Sequence, residues 1–224
     1  MPGTSALLDW FSKGTLLRPG EPAQPTTVDL ALALAALSGA PVPRTDGAAA
    51  IAERIGDADH LVFVLVDGLG LELVEALPAS AWLRRHLALP LRSVFPSATA
   101  SALTSLATGL SPGRHAIPGW WTYLPERDVT VTALPFIERW TGEPLHSVGV
   151  NLAEVFPAAT LLSCYRRDVM SFLPASISDS AYSRYVRGTT RTTPYDKLRG
   201  GIDALLSRAR GATAPTYSLS LIHI

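Results

Sequence analysis

Asp67 and Thr99 are the two residues of this chain whose types and settings suit phosphoryl chemistry. Asp67 stands between the apolar run Leu61-Val62-Phe63-Val64-Leu65-Val66 and Gly68, and Thr99 closes the segment Phe95-Pro96-Ser97-Ala98-Thr99. A divalent cation held by both a carboxylate and an alcohol lowers the alcohol's pKa and steadies the oxygen as it attacks. Thr99 also opens a stretch of good helix formers, Ala100 to Ala107, which Gly109 stops. The positive end of that helix would fall on Thr99, and the backbone N–H groups of Ala100, Ser101 and Ala102 would face an anion there. Each residue alone has a plainer reading: threonine caps helices, and aspartate before glycine makes turns. Ser97 and Ser101 are rival nucleophiles, less well placed, and Ser101 suits solvation of a phosphate or capping better than attack. His115, after Pro112-Gly113-Arg114, reads as a loop residue rather than a ligand.

The elements that must position this pair read as α/β. The run from Leu61 to Val66 is apolar throughout and rich in β-branched residues, which predicts a strand buried on both faces of a parallel sheet. Ligands in such sheets bind at the strands' carboxyl ends, where Asp67 falls. Before the strand, one helix is expected over Leu30–Leu37, capped by Asp29 and stopped by Gly39. A second is expected over Ala48–Ile55, capped by Asp46 and ended by Gly56. After it, a helical pattern runs from Leu71 to about Leu87 with a break at Pro78. Arg92–Phe95 reads as a second strand and completes a βαβ rhythm. Residues Ser111 to Pro135, with Trp120, Trp121 and Tyr123, suit a loop or covering hairpin that could form a substrate-facing wall. His146–Val150 and Thr160–Tyr165 read as strands, Tyr195–Arg208 as an amphipathic helix, and Thr216-Tyr217-Ser218 as the start of another strand. Residues 1–27 lack periodicity and read as an irregular lead-in.

Composition sets the class. With 224 residues, 47% of them hydrophobic, the chain can build one large α/β core or two small ones. Its 19 basic and 19 acidic residues cancel, and no basic patch alternates with aromatics, which excludes a nucleic-acid surface. The single cysteine, Cys164, lies among Leu161, Leu162 and Tyr165 and reads as a buried, inert thiol. The N-terminus lacks the basic and apolar regions of a secretion signal. The apolar stretch Leu30–Leu37 is also far short of the ~20 residues of a membrane span. Together these give the expectation of a cytoplasmic protein with no membrane partner.

The motifs Val64-Leu65-Val66-Asp67-Gly68, Phe95-Pro96-Ser97-Ala98-Thr99 and Leu106-Ala107-Thr108-Gly109-Leu110-Ser111-Pro112-Gly113-Arg114-His115 resemble the alkaline phosphatase superfamily, in its nucleotide pyrophosphatase/phosphodiesterase-like branch. The resemblance covers roughly Leu30 to Tyr217 and is most specific from Leu61 to Gly119. It implies a three-layer α/β sandwich around a mostly parallel sheet. It also implies a small-molecule phosphoric ester or nucleotide substrate and two divalent metal ions, zinc by the family's habit. By the same resemblance Asp67 binds one ion, and Thr99 is the nucleophile that contacts that ion and becomes phospho-threonine before water hydrolyses it. Two departures stand out. Ala102 occupies the place of an asparagine that holds a phosphoryl oxygen in eukaryotic-type members, which weakens the case for nucleotide diesters. The family's other zinc ligands, an Asp-x-x-x-His segment, an Asp-His pair and a final His, have no counterpart in the sequence.

The terminal residues Leu219-Ser220-Leu221-Ile222-His223-Ile224 match the translation of a common transposase sequencing adaptor. On this reading residues 28–218 are the N-terminal part of a single domain, residues 219–224 are an adaptor-derived tail in which His223 has no role, and the fragment is expected to be inactive, since a stable zinc site takes three or four protein ligands. Competing functions have weaker support. Gly68-Leu69-Gly70 lacks the third glycine of a dinucleotide fingerprint, which would fall at Leu73, and no Gly-x-x-x-x-Gly-Lys-Ser/Thr loop occurs. A sulfatase would carry Cys-x-Pro-x-Arg between Phe95 and Ser101. A phosphomonoesterase or phosphomutase on the same scaffold stays open, as does a non-catalytic α/β scaffold.

Overall fold

The computed structural model describes residues 3–13 and 24–223. In chain order the first elements are α1 (Thr4–Ser12), α2 (Thr27–Leu37), α3 (Asp46–Ile55), β1 (His60–Asp67), α4 (Leu71–Glu75), α5 (Trp82–Arg85), α6 (Thr99–Thr108) and α7 (Pro112–His115). Then follow β2 (Trp121–Leu124), β3 (Val129–Thr132), β4 (Ile137–Glu138), α8 (Leu152–Val155), β5 (Asp168–Pro174), α9 (Ala181–Arg187), β6 (Arg191–Tyr195), α10 (Leu198–Gly211) and β7 (Thr216–His223). Four strands form a wholly parallel sheet in the order β1-β7-β5-β6. Three form a small antiparallel sheet in the order β2-β3-β4. The chain is therefore α/β, with a parallel sheet flanked by helices.

Strand chemistry explains the layers. Leu61 and Phe63 of β1 lie in register with Tyr217 and Leu219 of β7 and share one face. That face packs with Leu34 of α2 and with Leu162, Val169 and Tyr165. The alternate residues Ser218 and Ser220 turn to the opposite face, where Arg208 of α10 donates to the Ser218 hydroxyl at 2.8 Å. Because α10 packs on β5, β6 and β7, the same face of β1 is left open, and Val62 and Val64 are each 45% exposed. The expectation of a strand buried on both faces is thus corrected: β1 is an edge strand with one covered face. Strand β7 runs without a break through residues 219–223, since Leu219 and Leu221 continue the one-sided apolar alternation begun by Tyr217.

Local hydrogen bonds account for the other departures. Arg92 makes only an isolated bridge to Thr26, so the second strand expected over Arg92–Phe95 does not form. Residues Leu145–Val148 and Leu162–Cys164 are 3-10 turns rather than strands. They close on themselves through Val150 N–H to the Leu145 carbonyl at 2.9 Å and Cys164 N–H to the Leu161 carbonyl at 2.9 Å. That turn leaves Cys164 exposed while Leu161 and Leu162 point inward, which corrects the buried thiol. The helix expected from Leu71 to about Leu87 is two short ones, α4 and α5. The lead-in contains α1, while residues 14–23 of it lie outside the described residues. The amphipathic helix begins at Leu198, and Tyr195 belongs to β6. Its ring lies against Gly201, where an added Cβ would come within 2.6 Å of Tyr195 Cδ1.

Capping also differs in detail. Thr26 and Thr45 are the caps of α2 and α3, and Asp29 acts from inside the first turn of α2. Its carboxylate accepts from Thr26 N–H at 2.8 Å and from the Thr45 hydroxyl at 2.6 Å, so one side chain ties two helix N-termini together. No helix among the described residues is long and apolar enough to cross a membrane. The contrast between faces gives a stability prediction. Phe172, 1% exposed in β5, should cost about 3–5 kcal/mol when changed to Ala. Val62→Thr on the open face of β1 should stay within about 0.5 kcal/mol. Urea unfolding midpoints of the two variants would show the difference, and equal losses would contradict the layer assignment.

Candidate active site

Helix α6 positions the candidate nucleophile. Thr99 is its first residue, and the preceding Ala98 makes no side-chain cap. Gly109 ends it in the left-handed region at φ 67°, and a Cβ there would come within 2.9 Å of Leu32 Cδ2, so glycine serves both the turn and the approach of α2. Near the helix end, Leu106 packs with Leu161 and Tyr165. Tyr165 in turn packs with Leu61, Val169 and Tyr217, the N-terminal parts of their strands. The C-terminal end of α6 therefore lies toward the N-terminal part of the parallel sheet. Asp67 is the last residue of β1 at the strands' carboxyl ends, in register with His223 of β7, and is half-buried.

The body of α6 is buried from its second residue onward. Ala100, Ser101, Thr104 and Ser105 have no accessible surface, and Thr99 is half-buried. The hydroxyl of Thr99 makes no hydrogen bond to another described residue. Of the three amides expected to face an anion, Ala102 N–H is taken by the Ala98 carbonyl at 2.9 Å. Ala100 and Ser101 are fully buried, so their amides would reach an anion at Thr99 only through the helix field. The Ser101 hydroxyl is buried with no hydrogen-bond partner, on the inner side of the helix.

His115, expected in a loop, lies instead in the short helix α7 and holds α6 in place. His115, the last residue of α7, is fully buried. Ile117 N–H donates to its Nδ1 at 3.2 Å, which leaves the proton on Nε2 and makes Nε2, 2.9 Å from Ser105 Oγ, the donor. The neutral ring thus pins the middle of α6 to α7. Thr104 and Thr108 satisfy their own hydroxyls by bonding back to the Ala100 and Thr104 carbonyls, each at 2.7 Å. The sequence offered no signal for the Ser105 pairing, because the partners meet only once Gly109 reverses the chain.

Beside α6 the covering-hairpin expectation is met by β2 and β3, extended by β4. Val131, Ala133, Phe136 and Leu145 pack with Ala100 of α6 and Tyr182 of α9 in one buried cluster. On the outer side Arg139 lies between two indoles, 4.0 Å from the Trp121 ring centre and 4.3 Å from that of Trp140. Trp121 is 50% exposed, so it covers Arg139 rather than the core.

Comparison with family models matches residues 61–191, from β1 through the first residue of β6, to type I phosphodiesterase / nucleotide pyrophosphatase. The match spans more than half of the 224-residue chain. The chain belongs to the type I phosphodiesterase / nucleotide pyrophosphatase family. Comparisons with curated proteins and with solved structures returned no match. This family's domain is that of a phosphoric ester hydrolase, and the matched span contains Asp67, Thr99 and the His115 anchor.

The anchor in this phosphodiesterase domain predicts a pH dependence. Burial, the largest influence, outweighs hydrogen bonding and holds His115 below its ordinary value of 6.5. Below 6.5 the unfolded chain then binds a proton that the folded chain refuses, so stability is complete above 6.5 and falls as pH drops toward the folded value. The urea midpoint of the wild type should decline between pH 7 and pH 5.5. His115→Gln should start less stable by about 1–2 kcal/mol and decline less steeply. Parallel curves for the two proteins would remove His115 as the titrating anchor.

Proposed function

We propose that the protein hydrolyses small-molecule phosphoric esters, with Thr99 as the nucleophile. The placement of Thr99 carries this reading: it opens α6 and reaches solvent while Ala100 and Ser101 behind it are buried, and capping does not occupy its hydroxyl. In-line attack by Oγ on phosphorus expels the alcohol of the ester and leaves a phosphoryl group on Thr99, which water then removes. Negative charge that builds on the phosphoryl oxygens sits at the positive end of a ten-residue helix. The buried run beneath Thr99, held by His115, keeps the oxygen in place through both steps. Diester substrates follow from the family. Ala102 in place of the asparagine leaves monoesters as the alternative within the same class.

The family implies two divalent metal ions, zinc by its habit, and here Asp67 and Thr99 are the oxygen ligands proposed for one of them. Such an ion would lower the pKa of the threonine alcohol. The described residues do not make up a complete site, since no group of three or more His, Cys, Asp or Glu converges among them. A stable zinc site takes three or four protein ligands. We therefore expect the 224-residue chain to hold zinc weakly and to turn over slowly at best.

A covalent readout suits such a protein. After incubation with a nitrophenyl phosphodiester and zinc, acid quenching and peptide mapping should find the adduct on Thr99. Thr99→Ala should lose both the adduct and at least about a hundredfold of any turnover. An adduct on Ser97, or equal hydrolysis by Thr99→Ala, would take Thr99 out of the mechanism.

A further inference from the structure

Between the parallel sheet and the α6–α9 layer lies a cavity of about 550 Å³. Its floor is the covered sheet face, with Leu65 of β1, Leu173 of β5 and Leu221 of β7. Its roof includes Leu106 of α6, and its side toward α9 includes Arg187. The volume falls within the range of about 300–1,000 Å³ that suits small-molecule sites, and the walls are of the same kind, mostly apolar with a few polar groups at one side. The cavity is partly open to solvent, so its apolar walls are wetted when it is empty and a ligand has a way in. Water gains little there, because an ordered water needs two to four polar partners and the floor and roof are mostly hydrocarbon, with Ser171 the exception on the floor. Apart from Ser171, the serines and the arginine that line it, Ser176, Ser180, Ser183 and Arg187, come from α9 and the segment just before it. Arg187 is already bonded to the Ser178 carbonyl at 2.8 Å and to Asp179 at 3.0 Å, so it forms a fixed rim and not a free charge.

We propose that this cavity is a binding site for a single long aliphatic chain, with the chain laid between the sheet and α6 and its polar end at the Ser176–Arg187 rim. The shared chemistry is the hydrocarbon chain, which a free fatty acid or an uncharged fatty ester could supply. The occupied site would complete the packing between the sheet and the helix that carries Thr99. The proposal stands apart from the hydrolase reading, because it concerns binding and uses none of the residues assigned to phosphoryl transfer.

Ser171 of β5 lines the cavity, is 2% exposed, and can be enlarged without removing an apolar contact. The 224-residue protein should bind dansyl-undecanoate saturably with enhanced, blue-shifted emission, and should melt at a higher temperature in its presence. Displacement by both palmitate and methyl palmitate identifies the chain alone as the ligand, and displacement by palmitate alone adds the carboxylate at the rim. Ser171→Phe, which fills the floor, should weaken binding at least about tenfold while its melting temperature is held or raised. If Ser171→Phe fails to fold, Leu106→Trp repeats the test from the roof. Absence of saturable binding, displacement by neither competitor, or unchanged affinity in a folded, filled variant would overturn the proposal.

Discussion

The arrangement depends on one constraint: α6 is packed on the side that carries Ala100, Ser101, Thr104, Ser105, Ala107 and Thr108, while its first residue, Thr99, keeps access to solvent. Of the buried hydroxyls in this helix, those of Thr104 and Thr108 bond back to the turn before them and that of Ser105 finds His115, while that of Ser101 has no hydrogen-bond partner. A helix buried this way cannot slide or roll without breaking the Ser105–His115 bond and the close pass of Gly109 over Leu32. Rigid presentation of an alcohol at a helix's positive end is what a covalent phosphoryl acceptor requires.

The sheet supplies the second half of that geometry. Parallel pairing of β1 with β7 and of β7 with β5 sends every strand's carboxyl end to one side, and Asp67 closes β1 at that side. The small sheet β2-β3-β4 steadies the opposite flank of α6 through Val131 and Phe136, packed with Ala100. The stack of Trp121, Arg139 and Trp140 lies outside this core and leaves the helix alone.

The parts of the fold legible in the sequence were those written in a short, continuous pattern. The β-branched run before Asp67 marked β1, and the alanine-rich stretch ended by Gly109 marked α6, each to within a residue. Strand β5, Asp168-Val-Met-Ser-Phe-Leu-Pro, was hidden because Asp168 and Ser171 interrupt its apolar pattern. Asp168 is accounted for only by its tertiary neighbours Arg191 and Arg208. The second strand expected at Arg92–Phe95 failed for the opposite reason: its local pattern was adequate, and no sheet edge lay beside it. Edge status was likewise invisible, since the exposure of Val62 and Val64 follows from where α10 lies. At the candidate site the residue types at Asp67 and Thr99 were readable, while the burial of Ala100 and Ser101 and the anchoring by His115 required the fold.

The central claim is that Asp67 and Thr99 lie close enough at one rim to share a cation. It can be tested without catalysis by replacing both with cysteine in a Cys164→Ser background and titrating with cadmium. Thiolate–cadmium absorbance should saturate at one ion per chain, with an affinity well above that of either single cysteine variant. Affinity no greater than that of the single variants would show that the two positions do not meet, and the account of the site would fail.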